Sequence, residues 1–267
     1  MTISKLSPQR NLIGDKEWAK YKMNFITGCN NQCKYCFSCA YSYRVVRVSP
    51  GEWKVEIIRL LDVNCKVKKY NGAIMIPASH DISVDTLGVC VEVLRKVLKA
   101  GNDVFFITKA HYEVIDRICK EFTDYKNQLL ICITIGSTNS ETLKFWEIGA
   151  TSYEERFAAL KLAYEMGFKT SVSAEPMLDK NIDELIAAVS PYVTNEIWIG
   201  KINNMRQMLT RNGHNDSETL QRANELKEWQ NNPTFILPLY EKYKSNPKIQ
   251  WKETFRKEIF NDNRKIC

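Results

Sequence analysis

The residues most able to do chemistry in this chain are cysteines. Four of the nine fall within eleven positions, as Gly28-Cys29-Asn30-Asn31-Gln32-Cys33-Lys34-Tyr35-Cys36-Phe37-Ser38-Cys39. The first three form a CxxxCxxC motif. In a reducing compartment, clustered cysteines point to a metal site or to catalysis rather than to disulfides. Thiolates are soft ligands that suit zinc and iron–sulfur clusters. Structural zinc wants four closed ligands, usually two CxxC pairs. Here no second pair follows, and three ligands on an iron–sulfur cubane leave one iron open. Cys39, three residues on, is a hydrogen donor, a substrate contact, the fourth ligand of a structural site, or a small buried hydrophobe. Cys65, Cys90, Cys119 and Cys132 lie in helix or strand contexts and read as core, and Cys267 is unassigned.

Short apolar runs alternate with helical periods along the chain. The patterns predict strands over 22–27, 73–77, 104–108, 129–135, 169–174 and 196–202. They predict helices over 52–62, 84–100, 112–122, from Ser152 to Gly167, 183–189 and 217–230, with a polar loop over 28–43. Ser152 with Glu155 three residues on is a capping-box pattern. Six β-α units with apolar strands argue for a parallel sheet flanked by helices, as an open sheet or a barrel. Both arrangements put functional groups at the carboxyl ends of strands. The ends found here are the cysteine loop, Ala78–Asp81, Lys109, Ser137, Glu175 and Lys201–Asn203. Residues 235–242 and 249–251 are ambiguous.

The cysteine motif, an aromatic beside its last cysteine and its place after the first strand resemble the radical S-adenosylmethionine superfamily. Ile107-Thr108-Lys109, the strand ICITI, Trp146–Arg156, Ser173–Met177 and Ile199–Asn203 resemble its spore photoproduct lyase-like branch, over roughly residues 22–205. The resemblance implies a partial (β/α)6 TIM-like barrel over residues 1–205, with residues 206–267 as a short helical or irregular C-terminal extension. It implies a [4Fe–4S] cluster on Cys29, Cys33 and Cys36 whose open iron chelates S-adenosylmethionine. One electron then cleaves that cofactor to methionine and a 5′-deoxyadenosyl radical, which abstracts hydrogen from a substrate. It places Tyr35 and Phe37 near the adenine, and gives Lys109 and Thr134 contacts to the cofactor, where a lysine pairs with a carboxylate. Ser79, His80 and Glu175 join this cofactor-binding set. Ala78 stands where the branch carries a hydrogen-donor cysteine, a departure that argues against photoproduct repair.

Lys201 and Asn203 end the last strand and, with Tyr41, form the expected substrate-binding set. Tyr41, Tyr43, Arg44 and Arg47 mix aromatic and basic character, as stacking on bases and pairing with phosphate require. Of the net +7, residues 1–72 carry +8, residues 73–200 carry −6 and residues 201–267 carry +5. Basic ends around an acidic middle favour a nucleic acid or other anionic substrate. Reduction requires an electron donor such as a flavodoxin or ferredoxin. The competing reading is a non-enzymatic nucleic-acid-binding module with a structural zinc or iron–sulfur site closed by Cys39. Hydrophobic residues make up 44% and charged residues 26%, which excludes a disordered chain. No apolar run approaches the roughly 18 residues that span a bilayer, and Met1–Arg10 is polar without a leader-like core. The expectation is a soluble, cytoplasmic protein with no membrane partner.

Overall fold

The computed structural model describes residues 14–262. Met1–Arg10 and Cys267 lie outside the described residues. Seven parallel strands form one sheet in sequential order: β1 (Tyr21–Lys22), β2 (Ile74–Ile76), β3 (Val104–Thr108), β4 (Leu129–Thr134), β5 (Lys169–Ala174), β6 (Ile197–Ile199) and β7 (Ile249–Trp251). The first and last strands do not pair, so the sheet curls into a partial barrel with a lateral opening. This is the expected α/β architecture, with a seventh strand drawn from the segment that was ambiguous in sequence.

Parallel strands covered on both faces read as continuous apolar runs, and VFFIT of β3 is buried throughout. Alternate side chains serve opposite faces. Val104, Phe106, Leu129, Ile131 and Ile133 join the outer core beneath the helices. Met75, Phe105, Ile107 and Cys132 line the concave side, where Ala19 and Trp18 pack on them. Trp18 stacks on Phe105 at 5.9 Å between ring centroids. The segment before β1 thereby closes part of the barrel interior.

The helices are α1 (Phe37–Val46), α2 (Leu87–Lys99), α3 (Tyr112–Glu121), α4 (Ser140–Trp146), α5 (Tyr153–Glu165), α6 (Ile182–Val189), α7 (Met205–Arg211), α8 (Ser217–Gln230), α9 (Pro233–Tyr243) and α10 (Glu253–Asp262). Ser152 caps α5 by accepting from the Glu155 amide at 3.3 Å. The Glu155 carboxylate does not reach back, and instead accepts from the Tyr112 amide at 3.0 Å. Among the described residues, no helix is long and apolar enough to cross a membrane.

Two expected elements differ. The strand over 22–27 divides into β1 and a two-residue ribbon, Ile26–Thr27, paired antiparallel with Ile57–Ile58. The helix over 52–62 is replaced by a 3-10 turn at Pro50–Glu52, that ribbon and a single turn at Leu60–Val63. Val55, Ile57 and Ile58 are β-branched, which favours extended backbone. The apolar stripe of the expected helix faces solvent, with Leu61 91% exposed. The polar loop expected over 28–43 also ends early, because α1 begins at Phe37 directly after Cys36.

Candidate active site

The cysteine loop leaves the ribbon at Gly28, whose φ of +97° only glycine adopts freely. A Cβ there would lie 2.0 Å from the Val55 carbonyl. The Cys29 amide donates to the Trp53 carbonyl at 2.7 Å. On its other side the loop is clasped by the turn after α4. The Lys34 amide donates to the Trp146 carbonyl at 2.8 Å, and the Gly149 amide to the Asn31 carbonyl at 2.9 Å. Cys33 and Glu147 form an isolated β-bridge. A third hold comes from beyond α7, where Asn212 Nδ2 donates to the carbonyls of Lys34 at 2.9 Å and Cys36 at 3.0 Å. Residues 206–262 therefore brace the loop and supply β7.

Cys29, Cys33 and Cys36 are half-buried, free thiols close enough to repel one another as thiolates. Burial pushes the Cys29 thiol up to about 12, and Asp81 adds to this. Burial also raises Cys33 and Cys36, with Lys109 opposing in both. Cys36 caps α1, its sulfur accepting from the Cys39 amide at 3.3 Å. The Cys39 thiol is buried and turns to the Pro50 carbonyl at 3.8 Å.

Asp81 organises one flank. It accepts from Asn31 Nδ2 at 2.7 Å, from Thr108 Oγ1 at 2.5 Å and from the Lys109 amide at 2.8 Å. Glu147 organises the other. Its side chain is 1% exposed and accepts from the Tyr35 hydroxyl. It lies 2.6 Å from Arg156 Nη2 and 3.8 Å from Lys109 Nζ. Burial alone would raise Glu147, but Arg156, Lys109 and the Tyr35 hydroxyl outweigh it and hold the carboxyl below its ordinary range. Burial would likewise lower Lys109; Cys33, Glu147 and Asp81 outweigh it and hold the ammonium above the ordinary lysine range. Fully buried Arg156 also donates to the Thr134 carbonyl at 3.1 Å.

The structure thus brings together the three motif cysteines, Tyr35, Lys109 and, through Arg156, Thr134. The other candidates have partners of their own. His80 is buried with both ring nitrogens in use: Nε2 accepts from the Phe25 amide at 3.3 Å and Nδ1 is 2.9 Å from the Asp81 carbonyl. Burial pushes it down to about 4, so it is a neutral imidazole that fixes main chain. Ser79 is half-buried, and its amide donates to Asn24 Oδ1 at 2.8 Å. Glu175 lies 3.4 Å from Lys252 Nζ, inside the barrel beside Glu17. Lys201 is buried, its ammonium donating to Asn231 Oδ1, and Asn203 is exposed. Phe37 is 67% exposed and packs on Tyr41 at 4.6 Å between centroids. The Arg211 guanidinium covers the Tyr41 ring at 4.3 Å.

Glu147 and Arg156 were assigned no role from sequence, although a signal for Arg156 was present. It shares a stripe with Ala159, Leu160 and Ala163, all buried, at the spacing of one helix face. An arginine on such a face needs a buried acid, and Glu147 is the acid of the neighbouring turn.

No family model matches the chain. A solved structure of a spore photoproduct lyase point variant superposes with a TM-score of 0.53 at 15% identity, covering 87% of this chain and 76% of the lyase. The chain has the fold of spore photoproduct lyase. That fold agrees with the partial barrel implied by the motifs. An uncharacterised protein of Acidianus two-tailed virus is 23% identical over 176 residues, 61% of this chain and 57% of the relative. An uncharacterised protein of Methanocaldococcus jannaschii is 28% identical over 173 residues, 62% of this chain and 63% of the relative. The match thus spans about three fifths of the length of these curated relatives.

Proposed function

We propose that the protein is a radical S-adenosylmethionine enzyme. The observation that carries this reading is the meeting of three half-buried thiols with Lys109 and Tyr35 at the carboxyl end of the curled parallel sheet. The donor set fits an iron–sulfur cluster. Among the described residues, no group of three His, Cys, Asp or Glu side chains is gathered to hold a single ion. Thiolates that bind separate irons of a cluster need not meet at one point. Cys39, turned toward Pro50, does not close a fourth corner, which disfavours the structural-zinc module.

In this reading Cys29, Cys33 and Cys36 hold a [4Fe–4S] cluster. When bound and reduced by a flavodoxin- or ferredoxin-like donor, it would supply one electron for the reductive cleavage of S-adenosylmethionine, the source of a hydrogen-abstracting radical. Lys109 pairs with the carboxylate of the cofactor, its protons unclaimed by Glu147 at 3.8 Å. Thr134, buried at the end of β4, and Ser79 offer hydroxyls, while Tyr35 and Phe37 flank the adenine. The protein supplies binding, orientation and exclusion of water. The substrate class we favour is anionic, nucleic acid first. Exposed Phe37 and half-buried Tyr41 form an aromatic pair, with Arg211 over the Tyr41 ring and Arg44 exposed on the same helix. α1 and α7 carry no acidic residue. Lys201 and Asn203 remain candidates for substrate contact at the end of β6.

The test is anaerobic reconstitution with iron and sulfide, reduction, and incubation with S-adenosylmethionine, with Cys33→Ala alongside. Release of 5′-deoxyadenosine by the parent protein alone supports the reading. A parent protein that builds a cluster yet never cleaves the cofactor overturns it. Binding of a single-stranded oligonucleotide should weaken steeply with salt; a flat response removes the polyanion.

A further inference from the structure

Three of the residues read as cofactor contacts, Tyr35, Lys109 and Thr134, lie on different segments, yet each is one contact away from the same buried ion pair. Glu147 takes the Tyr35 hydroxyl on Oε1, with Lys109 Nζ 3.8 Å from that same oxygen. Its other oxygen is 2.6 Å from Arg156. Arg156 spends its remaining donors on main chain, giving Nη1 to the Thr134 carbonyl at 3.1 Å and Nε to the Thr151 carbonyl at 3.0 Å. The Thr151 hydroxyl donates to the carbonyls of Lys109 and Ala110, so the lysine is braced at its backbone as well. The main-chain clasp of the cysteine loop does not use the two side chains: it consists of the amides and carbonyls of Lys34, Trp146, Asn31 and Gly149, with Cys29 on Trp53 and Asn212 on Lys34 and Cys36, and the pair touches the loop at the Tyr35 hydroxyl.

The distances divide the labour. Arg156 is in ion-pair contact with Glu147, whereas Lys109 stands beyond hydrogen-bond reach of it. Glu147 is therefore the countercharge that lets two cations share a buried site, without consuming the protons of the lysine. A pair whose task was stability alone would have no reason to stop short of Lys109, since isolated buried pairs rarely stabilise a fold.

We propose that Glu147, anchored by Arg156, is a positioning residue that aims Lys109 at the carboxylate-bearing end of S-adenosylmethionine. The inference rests on the radical S-adenosylmethionine reading, and it predicts that cofactor affinity, not metal loading, depends on Glu147.

The test measures iron content and S-adenosylmethionine affinity, the latter by anaerobic equilibrium dialysis, in reconstituted parent protein, Glu147→Gln, Lys109→Gln and the double variant. The expected result is unchanged iron, a loss of affinity of about tenfold or more in each single variant, and a double variant no weaker than Lys109→Gln. Such non-additivity marks two residues acting through one contact. Glu147→Asp keeps the charge but withdraws it by one methylene; it should fold, load iron and bind several-fold more weakly, and so covers the case in which Glu147→Gln does not fold. Parent-like affinity in Glu147→Asp or Glu147→Gln, or additive losses in the double variant, overturns the proposal and leaves the functional reading standing. A parent protein that binds no cofactor overturns both.

Discussion

Replacing Gly149 with alanine should loosen the cysteine loop. The new Cβ would sit 2.1 Å from the Asn30 carbonyl oxygen, 3.2 Å from its carbon and 3.3 Å from Gln32 Nε2. The closest partner is backbone and cannot swing aside. Restoring the 3.0 Å that real Cβ atoms respect requires the turn and the loop to part by about 0.9 Å. That parting stretches the Gly149 amide bond to the Asn31 carbonyl, now 2.9 Å, and the Lys34 bond to Trp146, now 2.8 Å. Overpacking of this kind costs about 1–3 kcal/mol. For a chain of this size each kcal/mol lowers the midpoint by about 2–4 °C, so a fall of about 2–12 °C is expected. Iron held after anaerobic reconstitution should fall as well, because Cys29 and Cys33 flank the displaced carbonyl. Gly88→Ala is the matched control: nothing lies within 4 Å of its Cβ, and it sits in α2, where alanine gains up to about 1 kcal/mol. If Gly149→Ala melts and loads iron like the parent while Gly88→Ala is tolerated, the turn does not clasp the loop and the reasoning fails.

Glu175 is pushed up to about 7 by burial and by the Glu17 carboxylate, against the pull of Lys252. Between about pH 4.5 and 7 the native state holds a proton that the unfolded chain releases, so this group's stabilisation is full at the acid end and is lost as pH rises. Glu175→Gln should flatten that slope by at most about 3 kcal/mol, read from urea midpoints across the window, and an unchanged slope counts against the assignment. Lys252→Met strands Glu17, which is 1% exposed, and should cost about 3–5 kcal/mol in urea; a loss under 1 kcal/mol would mean that Arg256 alone balances the acid. Cys39→Ala should leave iron content unchanged, since its thiol faces Pro50; loss of metal would revive the four-cysteine site.

The middle of the barrel was plain in the sequence. β3, β5 and α8 fall at their expected bounds; β3 is a continuous apolar run, whereas β5 is buried from Thr170 on despite its hydroxyl residues. The edges were harder to read. β7 is three residues long and could not be told from a loop until β6 was there to pair with it. The expected helix over 52–62 failed because its five apolar side chains fit a helical stripe and an extended ribbon equally well, and the partner that decides, Ile26–Thr27, lies about thirty residues away. In the site, cysteine spacing located the loop. A lone Glu between Trp146 and Ile148 shows its importance only when Arg156 and Lys109 arrive from other elements. His80 was read as a cofactor contact, and in the structure its two ring nitrogens meet main-chain groups.

The hold that Asn212 exerts on Lys34 and Cys36 joins residues 178 and 176 positions apart. During synthesis, the thiols emerge from the ribosome long before this brace exists. On the proposed reading, metal delivery to a correctly shaped loop is then a post-translational event, and the nascent thiols are open to oxidation in the interval. Yields of metal-loaded protein should therefore respond to slower growth and to low oxygen more than to the amount of iron supplied.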